Sequence, residues 1–206
     1  MTTYLDGWQL RYSPGVYDRR ANSVLLLFGV PIGDLSDNIN AVERFYWDCD
    51  LPSRFMASPA SMPEGIDQTL AKKGYLIEAS TFMQSVHLHD VLQPCGPIDG
   101  VELIYEPTNS WLAVYMEKVE DQHEISLKAD FINHIANDHV LEQINDHSGP
   151  VAVGLGVCGQ KWNGILCMHT LKLYRRQGYV GRILVALADW ARVKGGKAIV
   201  FTGRVE

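Results

Sequence analysis

The sequence lacks the marks of several protein classes, and each absence narrows what it can be. It has no excess of positive charge: 18 Lys and Arg face 24 Asp and Glu, a formal net charge of −6. A face that grips a nucleic-acid backbone needs the opposite sign, so DNA or RNA is not an expected partner, although a local basic cluster can still hold one small anion. It has no long hydrophobic run. The longest, Val24 to Val30, is strand-sized and far short of the ~20 residues that span a bilayer, so no membrane partner is expected either. The N-terminus shows no basic start followed by an apolar stretch, which makes a cytoplasmic location the expectation. Cysteine is scarce: the four residues Cys49, Cys95, Cys158 and Cys167 form no Cys-x-x-Cys pattern. Structural zinc, a disulfide scaffold and a redox dithiol are set aside in favour of buried free thiols.

What is there reads as an ordinary globular chain. The 206 residues are 47% apolar and 20% charged, enough to build one large domain or two small ones around a real core. Two strands, residues 7–12 and 23–28, flank a turn-rich segment. Ile39, Val42, Phe45 and Tyr46 recur at helical spacing within 37–49. A short strand at 54–57 and a helix at 63–73, stopped by Gly74, follow, and 75–88 reads as extended. The Pro- and Gly-rich stretch 93–100 places a boundary or crossover near 94–99. Beyond it come a strand at 101–105, a strand or short helix at 111–119 and a helix at 126–136. An antiparallel pair at 151–158 and 164–171 turns at 159–163. The clearest helix, 181–194, carries Ile183, Leu184, Leu187, Ala188 and Ala191 on one stripe and ends at Gly195 and Gly196. A last strand covers 197–202.

Chemistry concentrates between that antiparallel pair and that helix. Arg175, Arg176, Gln177, Gly178, Tyr179, Val180 and Gly181 form a turn that aims several backbone N–H groups at one spot, at the positive end of a helix dipole. Glycine lets a ligand approach closely, so the turn reads as a diphosphate cradle. No Gly-Lys-Ser/Thr follows, and the three spaced glycines of a dinucleotide fingerprint are missing.

The run Arg175-Arg176-Gln177-Gly178-Tyr179-Val180 resembles motif A, R/Q-x-x-G-x-G/A, of the GNAT superfamily of N-acyltransferases, whose turn binds the pyrophosphate of acetyl-CoA. Arg175 and Gly178 match, whereas Val180 stands where Gly or Ala is usual and Gly181 comes one residue later. The order of elements over 150–201 also resembles the family core. The resemblance implies an α/β GNAT fold, a mixed and mostly antiparallel sheet flanked by helices. It further implies acetyl-CoA as cosubstrate, an unidentified amine acceptor and direct transfer. Met168 and Thr170 would offer backbone groups to the pantetheine arm, with Arg175, Arg176, Gln177, Gly178, Tyr179, Val180 and Gly181 around the pyrophosphate.

Upstream, Gly7-Trp8-Gln9-Leu10-Arg11, Arg19-Arg20-Ala21-Asn22-Ser23-Val24 and Leu70-Ala71-Lys72-Lys73-Gly74-Tyr75 resemble bacterial members with an added N-terminal half-domain. This implies a degenerate GNAT-like half over 1–93, the product of an internal duplication, and an acetyl-CoA-binding domain over 101–206. A complete GNAT domain continues with a helix and two strands, and that helix usually bears a Tyr acting as general acid. Neither follows in the C-terminal half, and Leu70 takes the place of the Tyr in the N-terminal copy. The chain is then expected either to be truncated or to have its sheet completed by the N-terminal half, within the molecule or across a homodimer.

Acyl transfer to an amine needs a base near the strands that precede the motif. His169 lies on the right strand, and histidine changes charge near neutral pH, although a strand histidine is commonly a packed, hydrogen-bonded residue. Glu117 and Tyr115 are weaker candidates for the base, since residues of these types there commonly have ordinary surface or wall roles. His87 and His89 would share one face of a strand but find no third ligand, so no metal is expected. Trp111 and Trp162 are candidates to line an acceptor pocket. The rival to an enzyme is a non-catalytic acyl-CoA-binding sensor or interaction module, motivated by the missing Tyr and by Val180.

Overall fold

The computed structural model describes residues 1–16, 18–26, 33–92 and 100–204. Backbone contacts divide the chain into two compact units, Met1–Glu78 and Ala79–Glu206. In the first unit β1 (Thr2–Leu5) and β2 (Trp8–Arg11) form a hairpin through Asp6 and Gly7, whose φ angles of 46° and 85° suit the Asp-Gly turn. β3 (Val24–Leu26) pairs antiparallel with β2, and α1 (Leu35–Asp48) follows, with the Asp34 side chain accepting from Ser36 N. β4 (Phe55–Met56) joins β3 in parallel, and α2 (Ile66–Lys72) ends the unit's regular structure. Trp8, Leu10 and Val24 of the sheet and Ile39, Val42 and Tyr46 of α1 are buried together. The Tyr46 hydroxyl donates to the carbonyl of Arg11 at 2.8 Å, tying the helix to β2.

The second unit is a six-stranded sheet between helices. Its elements in chain order are β5 (Thr81–His87), α3 (Leu88–Leu92), β6 (Val101–Ile104), α4 (Asn109–Tyr115), α5 (Gln122–Asn133), β7 (His139–Asp146), β8 (Gly149–Cys158), β9 (Trp162–Thr170), α6 (Tyr179–Val193) and β10 (Ala198–Arg204). The strand order is β5-β10-β9-β8-β7-β6; only the β9–β10 pair is parallel. Alternation on the strands sorts side chains to two faces. Val140, Ile144 and Ala152 pack with Ile183 and Leu187 of α6, while Leu141, Val153 and Leu155 pack with Trp111 and Leu112 of α4 and Ile132 of α5. Glycine on β8 sets how closely α6 lies on the sheet. A Cβ at Gly154 would come 2.7 Å from Ile183 Cγ2, and one at Gly156 would come 2.8 Å from Leu187 Cδ2.

Several expectations are corrected here. Of the strand or short helix expected at 111–119, the short helix is found, but it ends at Tyr115 and begins at Asn109, where Thr108 caps α4 by accepting from Trp111 N at 3.1 Å. α5 begins four residues before the expected start because Asp121 caps it. β7 was not anticipated: Glu142, Gln143 and Asn145 interrupt its apolar pattern, yet Glu142 and Gln143 are buried. Thr81–His87, assigned from sequence to the N-terminal half, is hydrogen-bonded along its whole length to β10 of the second unit. His87 ends β5 and His89 lies in α3, so the two do not share a strand face. Trp111 is fully buried in the core against Leu141, Val153 and Leu155, while Trp162 is exposed. The thiols of Cys49, Cys158 and Cys167 are partly rather than fully buried. Cys95 and the boundary expected at 94–99 lie outside the described residues.

Glu142 is the anomaly of the core. Its side chain is fully buried, and neither carboxyl oxygen has a hydrogen-bond partner among the described residues, although its carbonyl accepts from Trp111 Nε1 at 3.0 Å. Burial pushes its pKa up to about 9. A carboxyl raised in this way binds a proton on folding. Its contribution to stability is full below the ordinary carboxylate range and is lost as pH rises toward about 9. Urea unfolding should therefore show a slope approaching about 1.4 kcal/mol per pH unit across neutrality from this group. Glu142→Gln should remove that slope; an unchanged pH profile in the variant would contradict it.

Candidate active site

The sheet opens between β9 and β10. Their parallel pairing runs from Ala198 opposite Trp162 to Val200 opposite Gly164 and stops there, though β9 continues to Thr170 and β10 to Arg204. Each strand keeps its other edge: β9 stays paired with β8 to Thr170, and β10 with β5 to Arg204. The facing backbones of residues 165–170 and 201–204 therefore line a cleft within the sheet. On the β8 side the register steps from Val153 opposite His169 to Leu155 opposite Leu166, so Cys167 and Met168 together oppose Gly154. This is a β-bulge, and Cys167 adopts a φ of 51° within it. A left-handed non-glycine residue is a local strain of the kind found where backbone groups are re-aimed at a ligand.

Beyond Thr170 the chain makes one 3-10 turn, Lys172–Tyr174, and enters α6 through a loop with two left-handed residues, Arg176 at φ 63° and Gly178 at φ 82°. Gly178 is the N-cap and offers no side chain, and Arg182 N is the first amide bonded back to it. The amides of Tyr179, Val180 and Gly181 thus have no acceptor within the helix, which leaves an anion-binding helix terminus. Val180 is 47% exposed and a Cβ at Gly181 would meet nothing, so the departure from the motif leaves the turn uncrowded. Gln177 Nε2 braces the loop by donating to the Leu173 carbonyl at 3.2 Å. Tyr174 donates its hydroxyl to Asp146, and its ring lies 6.3 Å from that of Tyr179. That bond, together with the Ser148 N–H, holds the Asp146 carboxyl below its ordinary range.

Arg175 does not project into this terminus. Its Nε donates to the Thr170 carbonyl at 2.9 Å, and its Nη2 lies 3.6 Å from Glu117 Oε2. The same Glu117 oxygen accepts from His169 Nε2 at 3.0 Å, while Oε1 accepts from Lys172 N at 3.3 Å. The His169 bond first, and then the Lys172 N–H, hold the Glu117 carboxyl below its usual range, so it is a carboxylate at neutral pH. With Nε2 donating, His169 keeps Nδ1 as its acceptor nitrogen. The two side chains named separately as base candidates are thus one hydrogen-bonded pair. Glu117 is set just after α4, which Trp111 anchors in the core. Met168 and Thr170 lie on the β9 wall, but the Thr170 carbonyl is already engaged by Arg175.

Sequence reasoning missed the turn of Arg175 toward the pair, the bulge at Cys167 and the Asp146–Tyr174 contact. The first two depend on backbone register, which no local pattern records. A polar residue at a hairpin end, such as Asp146, is too common to single out.

Residues 1–201 match the family model described as "Probable histone acetyltransferase Rv0428c C-terminal". The chain belongs to this family. Its fold is that of the GNAT proteins. A GCN5-related N-acetyltransferase from Kribbella flavida superposes with a TM-score of 0.70 at 15% identity, covering 98% of this chain and 79% of its own. A tandem GNAT protein from the clavulanic acid biosynthesis pathway gives 0.65 at 11%, covering 95% and 69%. A conserved protein of unknown function from Staphylococcus epidermidis gives 0.69 at 12%, covering 99% and 83%. No curated protein matches the sequence. No helix among the described residues is long and apolar enough to cross a membrane.

The two glycines of the GNAT turn separate backbone conformation from space. Gly178→Ala meets no neighbour but must adopt a left-handed φ, and should lose about 1–2 kcal/mol in thermal unfolding. Gly181→Ala, also without a clash but in ordinary helical conformation, should gain about 0.5–1 kcal/mol. Equal effects of the two substitutions would contradict this reading of the turn.

Proposed function

We propose that the protein transfers an acetyl group from acetyl-CoA directly to an amine, with the chemistry carried by the second unit. The observation that carries the proposal is that the β9 wall of the cleft carries His169, bonded to Glu117, one residue before the strand's end at Thr170, and that the chain then runs within nine residues into the open terminus of α6. The amides of Tyr179, Val180 and Gly181 hold the diphosphate, with Arg176 exposed beside them. Backbone groups of β9 around Met168 align the pantetheine arm, and the bulge turns an amide toward the thioester oxygen, where charge develops.

The amine nitrogen attacks the thioester carbon, the carbon–sulfur bond breaks, and the sulfur leaves as thiolate. The proton lost by nitrogen passes, directly or through one water, to Nδ1 of His169, while Glu117 fixes the ring and stabilises the imidazolium. The thiolate is protonated from solvent. Glu117 is a positioning residue in this scheme. The acetyl-CoA-binding domain expected over 101–206 begins earlier, at Ala79, because Thr81–His87 supplies the strand beyond β10. The acceptor is an amine of unassigned identity.

Thiol release from acetyl-CoA in the presence of a broad amine panel tests the reading. His169→Gln should lower the rate about 10²–10⁴-fold with acetyl-CoA affinity retained. Acetyl-CoA binding without release across the panel would instead make the protein a sensor or interaction module.

A further inference from the structure

We infer that Glu117 links the cofactor turn to the base, so that binding of an acyl-CoA diphosphate and protonation of His169 favour one another. The inference rests on the functional reading above and adds to it a regulation of the same site. One carboxylate oxygen, Glu117 Oε2, is shared between His169 Nε2 at 3.0 Å and Arg175 Nη2 at 3.6 Å. Arg175 opens the very turn whose amides lie free at the start of α6. In the unloaded protein its positive charge offsets part of the negative charge that His169 meets. A diphosphate at the turn brings anionic charge to Arg175. Whether it draws the guanidinium away or neutralises it in place, Glu117 is left more fully to His169, and the imidazole gains proton affinity. Thermodynamic linkage makes the effect mutual: a proton on His169 must tighten diphosphate binding by the same factor.

Among the described side chains, Arg175 is the cation set against the Glu117 carboxylate that His169 meets. Across β8 its partner is Val153, and Lys172 contributes a backbone N–H to the same carboxylate. On the helical face, Lys128 of α5 lies over the rings of Tyr115 and Phe131, 5.4 Å and 5.7 Å from their centroids. Across the cleft, Phe201, Thr202 and Gly203 of β10 carry no charge, and the charged residue of that wall is Arg204, which ends the strand. The consequence is a base that is strongest when the acyl donor is in place.

Two measurements test the coupling. Without ligand, NMR titration of the His169 imidazole should show a proton affinity about three- to tenfold higher in Arg175→Gln than in the native protein, and near native in Arg175→Lys. In Glu117→Gln the Arg175 substitution should have no further effect. An unchanged titration in Arg175→Gln overturns the inference. With ligand, calorimetry of acetyl-3′-dephospho-CoA in two buffers of different protonation enthalpy should detect proton uptake near neutral pH. This ligand's diphosphate diester does not itself titrate there. Uptake should vanish in His169→Gln and fall in Glu117→Gln. Binding without uptake, or uptake that survives in His169→Gln, overturns the coupling and leaves the cofactor reading intact. No binding at millimolar ligand overturns both.

Discussion

A sheet can be parted in its middle only if each strand at the opening keeps its other edge bonded, because backbone N–H and C=O groups removed from water must find partners. The second unit meets that constraint with β8 on one side and β5 on the other. The cleft, the helix terminus beside it and the His169–Glu117 pair all depend on this arrangement. Were β5 missing, β10 would hold the sheet by three residue pairs to β9, and the far wall of the cleft would be an unprotected edge.

The helix that follows the turn at Arg175–Gly178 is placed by the same economy. Gly154 and Gly156 remove side-chain bulk where α6 crosses the sheet, and Ile183 and Leu187 fill the space. This fixes the start of α6 relative to β9, so eight residues, three of them in the 3-10 turn, suffice to join them. Binding geometry at the turn and core packing therefore share their determinants. The buried Glu142 on the neighbouring strand runs against that packing, and has no counterpart in the chemistry proposed.

Much of this was legible in the sequence because the signals were local. The motif at Arg175–Gly178, the stripe of α6, the β8–β9 hairpin and the stops at Gly74 and Gly195 are all written within a few residues of where they act. His169 and Glu117 could each be singled out as candidates by residue type and approximate location. What could not be read was non-local: that Glu117, more than fifty positions upstream, bonds to His169, and that Arg175 turns from the start of α6 toward it. β7 was hidden for another reason. Its polar residues Glu142 and Gln143 are buried, so the usual equation of polarity with exposure failed there.

The pairing of β5 with β10 also has a temporal side. Thr81 at the start of the second unit meets Arg204 at its end. During synthesis, β5 leaves the ribosome long before its partner exists. Until β10 is made, Phe82, Met83 and the rest of that uncharged strand have no sheet to join. The cleft is thus completed only when β10 is made, and its two walls come together in a single late event rather than by stages.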